Sequence, residues 1–332
     1  MVKIIAELGN THEGSVGLAK QMIRAAADCG VNAVKFQTHI FEAESLPDAP
    51  NPPYFKDETR KEYFERTAFN LEQYIKLKEF AEQECKVEFL SSPFSIEAFE
   101  LLKEVGVKSV KIPSGEVSNL PLLEKISESD CQVILSSGMS SWNELDEAVE
   151  IFKGKNELII LQCTSEYPCL PANAGLNIML DIKKRYGCAV GFSDHTLGVG
   201  VPIAAVALGA ELIEKHFTLS KLMYGSDAKN STEPAEFKFL VEGIRAAETA
   251  ISSEIDKNVK VKDLGEMKRI FEKSIVAAHN LPANHLVTSE DLCFKKPGDG
   301  IPSREYKNII GKELKQAVAK DHKFNLSDFK TN

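Results

Sequence analysis

Two histidines in one stretch of this chain stand where they can share a metal ion. The run Val-Gly-Phe-Ser-Asp-His-Thr from Val190 carries Asp194 and His195. The run Leu-Ile-Glu-Lys-His-Phe-Thr-Leu from Leu212 carries Glu214, Lys215 and His216. Each is a short, apolar, β-prone segment that finishes in polar chemistry. Between them, Val199 to Ala210 is apolar but too short to span a bilayer. It fits a helix packed between two parallel strands. That β-α-β arrangement puts both imidazoles at the carboxyl ends of neighbouring strands, the face of a closed α/β barrel where active sites sit. A local hydrogen bond explains one such histidine, but two at matching places suit a divalent cation. An ion so held keeps open positions and can polarise a carbonyl oxygen.

Similar segment ends elsewhere supply Glu7; Lys35 and Gln37; Ser91 and Ser92; Lys111, Ser114 and Glu116; Ser136 and Ser137; and Thr164, Ser165 and Tyr167. Two lysines and several small hydroxyls facing one mouth suit a phosphate or a carboxylate. Hydroxyls and glycine-flanked amides wrap the oxyanion, and the ammonium groups neutralise it. Any one of these serines has a simpler use as a helix N-cap. A lysine inside an apolar strand does not, because burying an unpaired ammonium is costly. An anion held beside a metal-polarised carbonyl is the equipment for joining an enol phosphate to an aldehyde through a carbon–carbon bond. A metal hydrolase of the amidohydrolase type would offer His-x-His on the first strand, and here that strand ends Glu7-Leu8-Gly9.

These ends need a scaffold, and the chain spells one out. Val2 to Leu8 reads as a buried strand. Ser15 caps a helix with Leu18, Met22, Ile23 and Ala26 inward, closed by Gly30. Strand Val31 to Phe36 follows, then a long loop from Phe41 to Arg66 with Pro47, Pro50, Pro52 and Pro53, of a length that is usually functional or mobile. A helix over Leu71 to Glu84 leads to strand Val87 to Leu90. Ser95 caps the next helix, and strand Ser109 to Ile112 comes after Gly106. Asn119 and Pro121 open a helix. Strand Gln132 to Leu135 precedes the capping box Ser141-x-x-Glu144, and strand Leu158 to Gln162 precedes the two histidine strands. Thr232-Glu233-Pro234 starts a last helix with Phe237, Leu240, Val241, Ile244 and Ile251 on one face. Strand–helix units recurring every 25 to 30 residues or so predict a (β/α)₈ TIM barrel. An open doubly-wound sheet is the competing architecture, but no G-x-G-x-x-G or Walker loop is present.

The 332 residues suffice for such a barrel of roughly 250 residues and a small second domain. The boundaries read as a barrel over 1–252, a charged, partly helical linker over 253–273, and a β-rich module with little core of its own over 274–332. A net charge of -9 argues against general nucleic-acid binding. The seven cysteines are scattered, with no C-x-x-C, so neither a disulfide framework nor a zinc cage is indicated. No signal-peptide core or membrane span is apparent, and a reducing cytoplasm is the expected setting.

The ordered motifs AELGNTHEG from Ala6, VKFQTH from Val34, FLSSPF from Phe89, KIPSGE from Lys111, ILSSGM from Ile134, LQCTSEYP from Leu161, GFSDHT from Gly191 and EKHFTL from Glu214 resemble those of the sialic acid synthases, including their legionaminate and pseudaminate branches. The carboxyl module, with KKPGDGIP from Lys295, resembles the antifreeze-like (SAF, β-clip) domain. The resemblance covers nearly the whole chain in order. It implies condensation of phosphoenolpyruvate with an N-acetylhexosamine such as N-acetylmannosamine, with water adding and phosphate leaving. It implies that His195 and His216 ligate Mn²⁺, with Mg²⁺ or Co²⁺ as substitutes. Lys35, Lys111, Ser92, Ser114, Ser136 and Ser165 would hold phosphoenolpyruvate. Glu7 would orient metal-bound water or act as acid/base. Gln37, Glu116, Tyr167 and Asp227 would contact the sugar. The family's domain-swapped homodimer would bring Lys296 of the partner subunit to the same sugar.

Three positions depart from the family pattern. Lys296 stands where an Arg is usual, and a lysine cannot make the same bidentate fork. Ala228 follows Asp227 where a His is common, and Thr11 precedes His12 where an Asn is common. All three bear on the acceptor. Other ulosonate synthases, making seven- or eight-carbon acids, lack the small carboxyl domain. A carbohydrate- or ice-binding protein with an inactive barrel would have no use for both histidines, both lysines and the serines.

Overall fold

The structure is a computed structural model, described here for residues 1–51, 58–225 and 227–330. Pro52 and Pro53 of the expected long loop lie outside the described residues. The chain divides into two compact units, Met1–Ser252 and Ser253–Asn332.

The first unit is a closed barrel of eight parallel strands in sequence order: β1 (Lys3–Gly9), β2 (Ala33–Thr38), β3 (Glu88–Pro93), β4 (Ser109–Ile112), β5 (Gln132–Ser136), β6 (Leu158–Cys163), β7 (Ala189–Asp194) and β8 (Leu212–His216). β8 closes on β1 with Glu7 opposite His216, and β1 pairs β2 with Glu7 opposite Lys35. Side chains alternate along a strand, and the sequence uses that period to build two inner layers. Ile5, Ala33, Leu90, Ile134, Leu161 and Leu212 form an apolar plug inside the barrel. Two residues further along each of those strands come Glu7, Lys35, Ser92, Ser136, Cys163 and Glu214. The plug closes the barrel's interior beneath a polar layer at its carboxyl end. The outward residues, such as Val34, Phe89, Val133 and Ile213, pack under the helices in a second and larger apolar layer.

Helix starts follow their caps. The side chains of Ser15, Ser95, Asn119 and Ser141 each accept a backbone N–H of the turn they open. Three expectations need correction. The stretch from Phe41 to Arg66 is not one open loop, because Phe41–Glu44 and Arg60–Thr67 are helical; the capping box of Thr59 with Glu62 starts the second. Ile251 does not face inward but is 58% exposed, since the helix Pro234–Ser252 runs past the barrel wall. Leu71 to Glu84 starts as an α-helix, with Asn70 and Gln73 in a capping box, and widens into a π-turn over Phe80–Glu84.

In the second unit the charged stretch folds as helices Lys257–Asp263 and Gly265–Phe271. Strands β9 (Ser274–Ala277) and β10 (Leu292–Lys295) pair antiparallel. The module has a core after all: Ile275, Leu281, Val287, Leu314, Val318, Phe324 and Phe329 are buried together. Two matching turns flank that core. Thr288 and Asn325 form capping boxes with Asp291 and Asp328, and each carboxylate also takes a histidine six residues earlier, His285 and His322. Among the described residues no helix is long and apolar enough to cross a membrane.

Candidate active site

The polar layer opens into a cleft of about 560 Å³ at the carboxyl ends of the strands. The barrel residues to which the resemblance gives a role line it: Glu7, Lys35, Gln37, Ser92, Lys111, Ser114, Glu116, Ser136, Ser165, Tyr167, His195, His216 and Asp227; Ser91, Ser137, Thr164 and Asp194 of the same segment ends do not. Lys296 belongs to the second unit, where its Nζ lies 4.9 Å from the centre of the Phe271 ring.

The floor of the cleft is a chain of opposite charges. Lys35 Nζ lies 2.9 Å from Oε2 of Glu7 and 3.2 Å from Oε1 of Glu214, and donates to Ser92 Oγ at 3.3 Å. Lys111 Nζ reaches the same Glu214 oxygen at 2.7 Å, and Ser193 Oγ donates to it at 3.1 Å. All four charged groups are under 5% exposed. Burial disfavours the charged form of Lys35, yet Glu214 and Glu7 outweigh it and hold the ammonium well above its ordinary range. Burial also works to raise Glu214, and Lys111 and Lys35 reverse the sign, so it stays ionised. For Lys111 burial wins: with the Lys35 charge beside it, its ammonium is easier to deprotonate than an ordinary lysine. Glu214 keeps its second oxygen, Oε2, buried without a hydrogen-bond partner among the described residues.

Ser114, Ser165 and Cys163 converge over Gly138. A side chain there would press on Ser114 Oγ at 2.6 Å, Ser165 Oγ at 2.7 Å and Cys163 Sγ at 3.2 Å. Glycine at 138 is what lets three polar groups close on one point, the cradle an oxyanion needs.

The two histidines stand at the other side of the cleft with ring centres 5.6 Å apart. The Nδ1 hydrogen of His195 is taken by the carbonyl of Thr164 at 2.8 Å, which leaves the Nε2 lone pair free. Burial pushes His216 down, against the pull of Asp227 and Glu7, and favours the neutral ring that binds metals. The spacing lets the two rings share one cation at bond lengths of about 2.1 Å. Among the described residues no cluster of three or more His, Cys, Asp or Glu is set to hold a metal, so water or substrate would complete the shell. Tyr167 covers both rings, its centre 4.1 Å from that of His195 and 5.9 Å from that of His216. Asp227 lies over Gly9, whose φ of +52° suits glycine and whose missing side chain leaves room for the carboxylate.

The backs of these residues are fixed too. Asp194 points away from the cleft and accepts from Thr196 N–H at 2.9 Å, Thr196 Oγ1 at 2.8 Å and Lys215 Nζ at 2.5 Å. Lys215 also donates to the Thr196 carbonyl at 2.7 Å. This buried clasp pins the turn that carries His195.

Glu214, Ser193 and Cys163 join the cleft without a role expected from the sequence. Period-two counting finds them, because each lies two residues before a cleft residue on its own segment: Ser193 before His195, Glu214 before His216, Cys163 before Ser165. His39 keeps the same period, two residues beyond Gln37 on its segment, whereas Glu44 and Phe64 carry no such signal, since they reach the cleft from helices above the barrel.

The chain matches known proteins along most of its length. The chain is 38% identical over 322 residues to N,N'-diacetyllegionaminic acid synthase of Campylobacter jejuni, covering 93% of this chain and 94% of the relative. It is 34% identical over 326 residues to the N-acetylneuraminate-9-phosphate synthase of Mus musculus, covering 96% and 90%. The crystal structure of N-acetylneuraminic acid (sialic acid) synthetase from Leptospira borgpetersenii, in complex with citrate, superposes with a TM-score of 0.70 at 34% identity over 81% of this chain and 93% of that one. Residues 272–328 match the SAF domain, and residues 22–256 match the NeuB family. The chain belongs to the NeuB family and carries a carboxyl-terminal SAF domain.

Proposed function

We propose that this protein is a nonulosonic acid synthase that condenses phosphoenolpyruvate with an acetamido-hexose and water, releasing phosphate. The observation that carries the reading is the single cleft that puts the Lys35–Glu214–Lys111 floor, the Ser114–Ser165 cradle and two facing imidazoles on one mouth. In the reaction C3 of the enol bonds to the open-chain aldehyde carbon, whose oxygen takes a proton. Water adds at C2, and phosphate leaves with its bridging oxygen. His195 and His216 would hold a divalent ion, Mn²⁺ first and Mg²⁺ or Co²⁺ as substitutes. When bound, that ion supplies polarisation of the acceptor's aldehyde oxygen.

The protein's own groups do the rest. Lys35 and Lys111 oppose the charge of phosphate and carboxylate, with Ser92, Ser114, Ser136 and Ser165 donating to the oxygens. Glu7, hydrogen-bonded by Gln37 and the Gly9 amide at 3.0 Å each, is placed to exchange a proton with water or the nascent alcohol. Gln37, Glu116, Tyr167 and Asp227 surround the sugar. N-acetylneuraminate-9-phosphate and diacetyllegionaminate synthases both match along the chain, which supports an acceptor of the acetamido-hexose class, N-acetylmannosamine or a diacetamido-hexose. A homodimer in which Lys296 of the partner subunit completes the sugar site extends the reading. The seven free cysteines suit the reducing cytoplasm.

The test is isotopic. With phosphoenolpyruvate labelled with ¹⁸O at the bridging oxygen, a panel of acetamido-hexoses and Mn²⁺, the label should appear in released phosphate and the three pyruvate carbons in a nine-carbon acid. Label retained in the organic product, or turnover only with a pentose or tetrose phosphate, contradicts the reading. For the dimer, mixing inactive His216→Ala with inactive Lys296→Ala subunits should restore activity, and failure to do so contradicts a site shared across subunits.

A further inference from the structure

His39 occupies a slot that the condensation does not use. Its ring lies between Phe64 and Phe94, with centres 3.8 and 4.0 Å away and planes within 9° and 23° of parallel. Nδ1 stands 2.9 and 3.1 Å from the two carboxylate oxygens of Glu44. Nε2 stands 3.2 Å from Oε1 of Gln37. The amide nitrogen of Gln37 donates in turn to Oε1 of Glu7 at 3.0 Å. The other oxygen of Glu7 lies 2.9 Å from the Lys35 ammonium.

These contacts fix where the hydrogens are. A carboxylate only accepts, so Gln37 turns its NH₂ toward Glu7. Its carbonyl oxygen then faces His39, and Nε2 must carry a hydrogen. A reversed Gln37 amide would set oxygen against oxygen at Glu7. The ring is held at Nδ1 by Glu44, at Nε2 by Gln37 and on both faces by phenylalanines. Arg60, one turn before Phe64, and Glu116 also line the cleft, Glu116 being raised by burial and by the neighbouring Glu44 charge. Beyond Gln37 stand Glu7 and Lys35.

We propose that His39 is a positioning residue for the acceptor: clamped by Glu44, Phe64 and Phe94, it locks the Gln37 amide so that one N–H holds Glu7 and the other is aimed for the sugar. The inference rests on the reading of this cleft as an acetamido-hexose site.

His39→Phe keeps an aromatic ring in the stack and removes both ring nitrogens. The KM for the acetamido-hexose should rise about tenfold, with the KM for phosphoenolpyruvate within about twofold of wild type. His39→Gln, which can still donate to Gln37, should recover part of the loss. An unchanged acceptor KM, or two KM values rising together, overturns the proposal. A second measurement needs no turnover. In ¹H–¹⁵N spectra of the intact protein, the Nε2 of His39 should give an exchange-protected N–H signal, identified by its loss in His39→Phe. A ring without a hydrogen on Nε2 overturns the proposal. If the wild type makes no nine-carbon acid with any acetamido-hexose, the function fails while the ring signal still decides the orientation of Gln37.

Discussion

Lys111 extends its ammonium across the barrel to within 2.7 Å of Oε1 of Glu214. The lysine comes from β4 and the carboxylate from β8, on opposite walls. Lys35 arrives at the same oxygen from β2. One carboxylate oxygen thus bridges two buried cations, with Glu7 as the second anion on Lys35, and the anion pocket is held together before any anion enters.

Glu214→Gln leaves that pair of ammonium groups underneutralised. Breaking a buried ionic cluster from one side costs about 3 kcal/mol or more. Urea unfolding should show that loss. Added inorganic phosphate should raise the melting temperature of the variant more than that of the wild type. Unchanged stability would mean the three groups are not coupled.

His12 predicts a pH dependence of stability. It is fully buried, stacked on Phe69 at 4.4 Å, and its Nδ1 accepts the Gly14 N–H, which requires a neutral ring. Burial lowers its pKa from 6.5 to about 3, against a hydrogen bond at Gly9. Below pH 6.5 the unfolded chain takes up a proton that the folded chain refuses. Stability is therefore full above about 6.5 and falls as the pH drops toward 3, by about 4 kcal/mol from this group. His12→Asn should flatten that limb in unfolding measurements across the window. The same slope in the variant contradicts the assignment.

The barrel and nearly all of its mouth were legible because both are written with local periods. The strands read as short apolar runs with polar endings, and those endings reach the cleft; that Ile5, Leu90 and Leu212 rather than their apolar neighbours form the inner plug is set by the barrel's closure. Caps at Ser15, Ser95 and Ser141 fixed helix starts to the residue. What stayed hidden depends on neighbours distant in sequence. Nothing near Glu214 announces two lysines from β2 and β4, and nothing near His39 announces Phe64 and Phe94. The prolines ahead of it hide the helix at Arg60–Thr67, and strands only four residues long hide the core of the second unit.

Lys215→Met opens the clasp behind His195 and strands the buried Asp194 carboxylate, at a cost of about 3 kcal/mol. Because the clasp pins the turn bearing His195, Mn²⁺ affinity should fall about tenfold or more. Calorimetric titration of the folded variant checks this. Wild-type affinity would show that His195 is held without Asp194.

Gly9→Ala puts a methyl group where the Asp227 carboxylate lies and strains a residue at φ +52°. Displacing Asp227 should raise the acceptor KM about tenfold and leave the KM for phosphoenolpyruvate unchanged. Steady-state kinetics with each substrate varied separately reads this split. Equal effects on both substrates would contradict a sugar-side place for Asp227.

The paired imidazoles are tested most directly by phosphate release from phosphoenolpyruvate and an acetamido-hexose during a Mn²⁺ titration, comparing wild type with His216→Ala. The wild type should release phosphate only when sugar and metal are both present. The variant should release none while keeping the wild-type circular dichroism and melting temperature. Wild-type turnover by a folded His216→Ala protein, or metal-independent release by the wild type, would contradict the account.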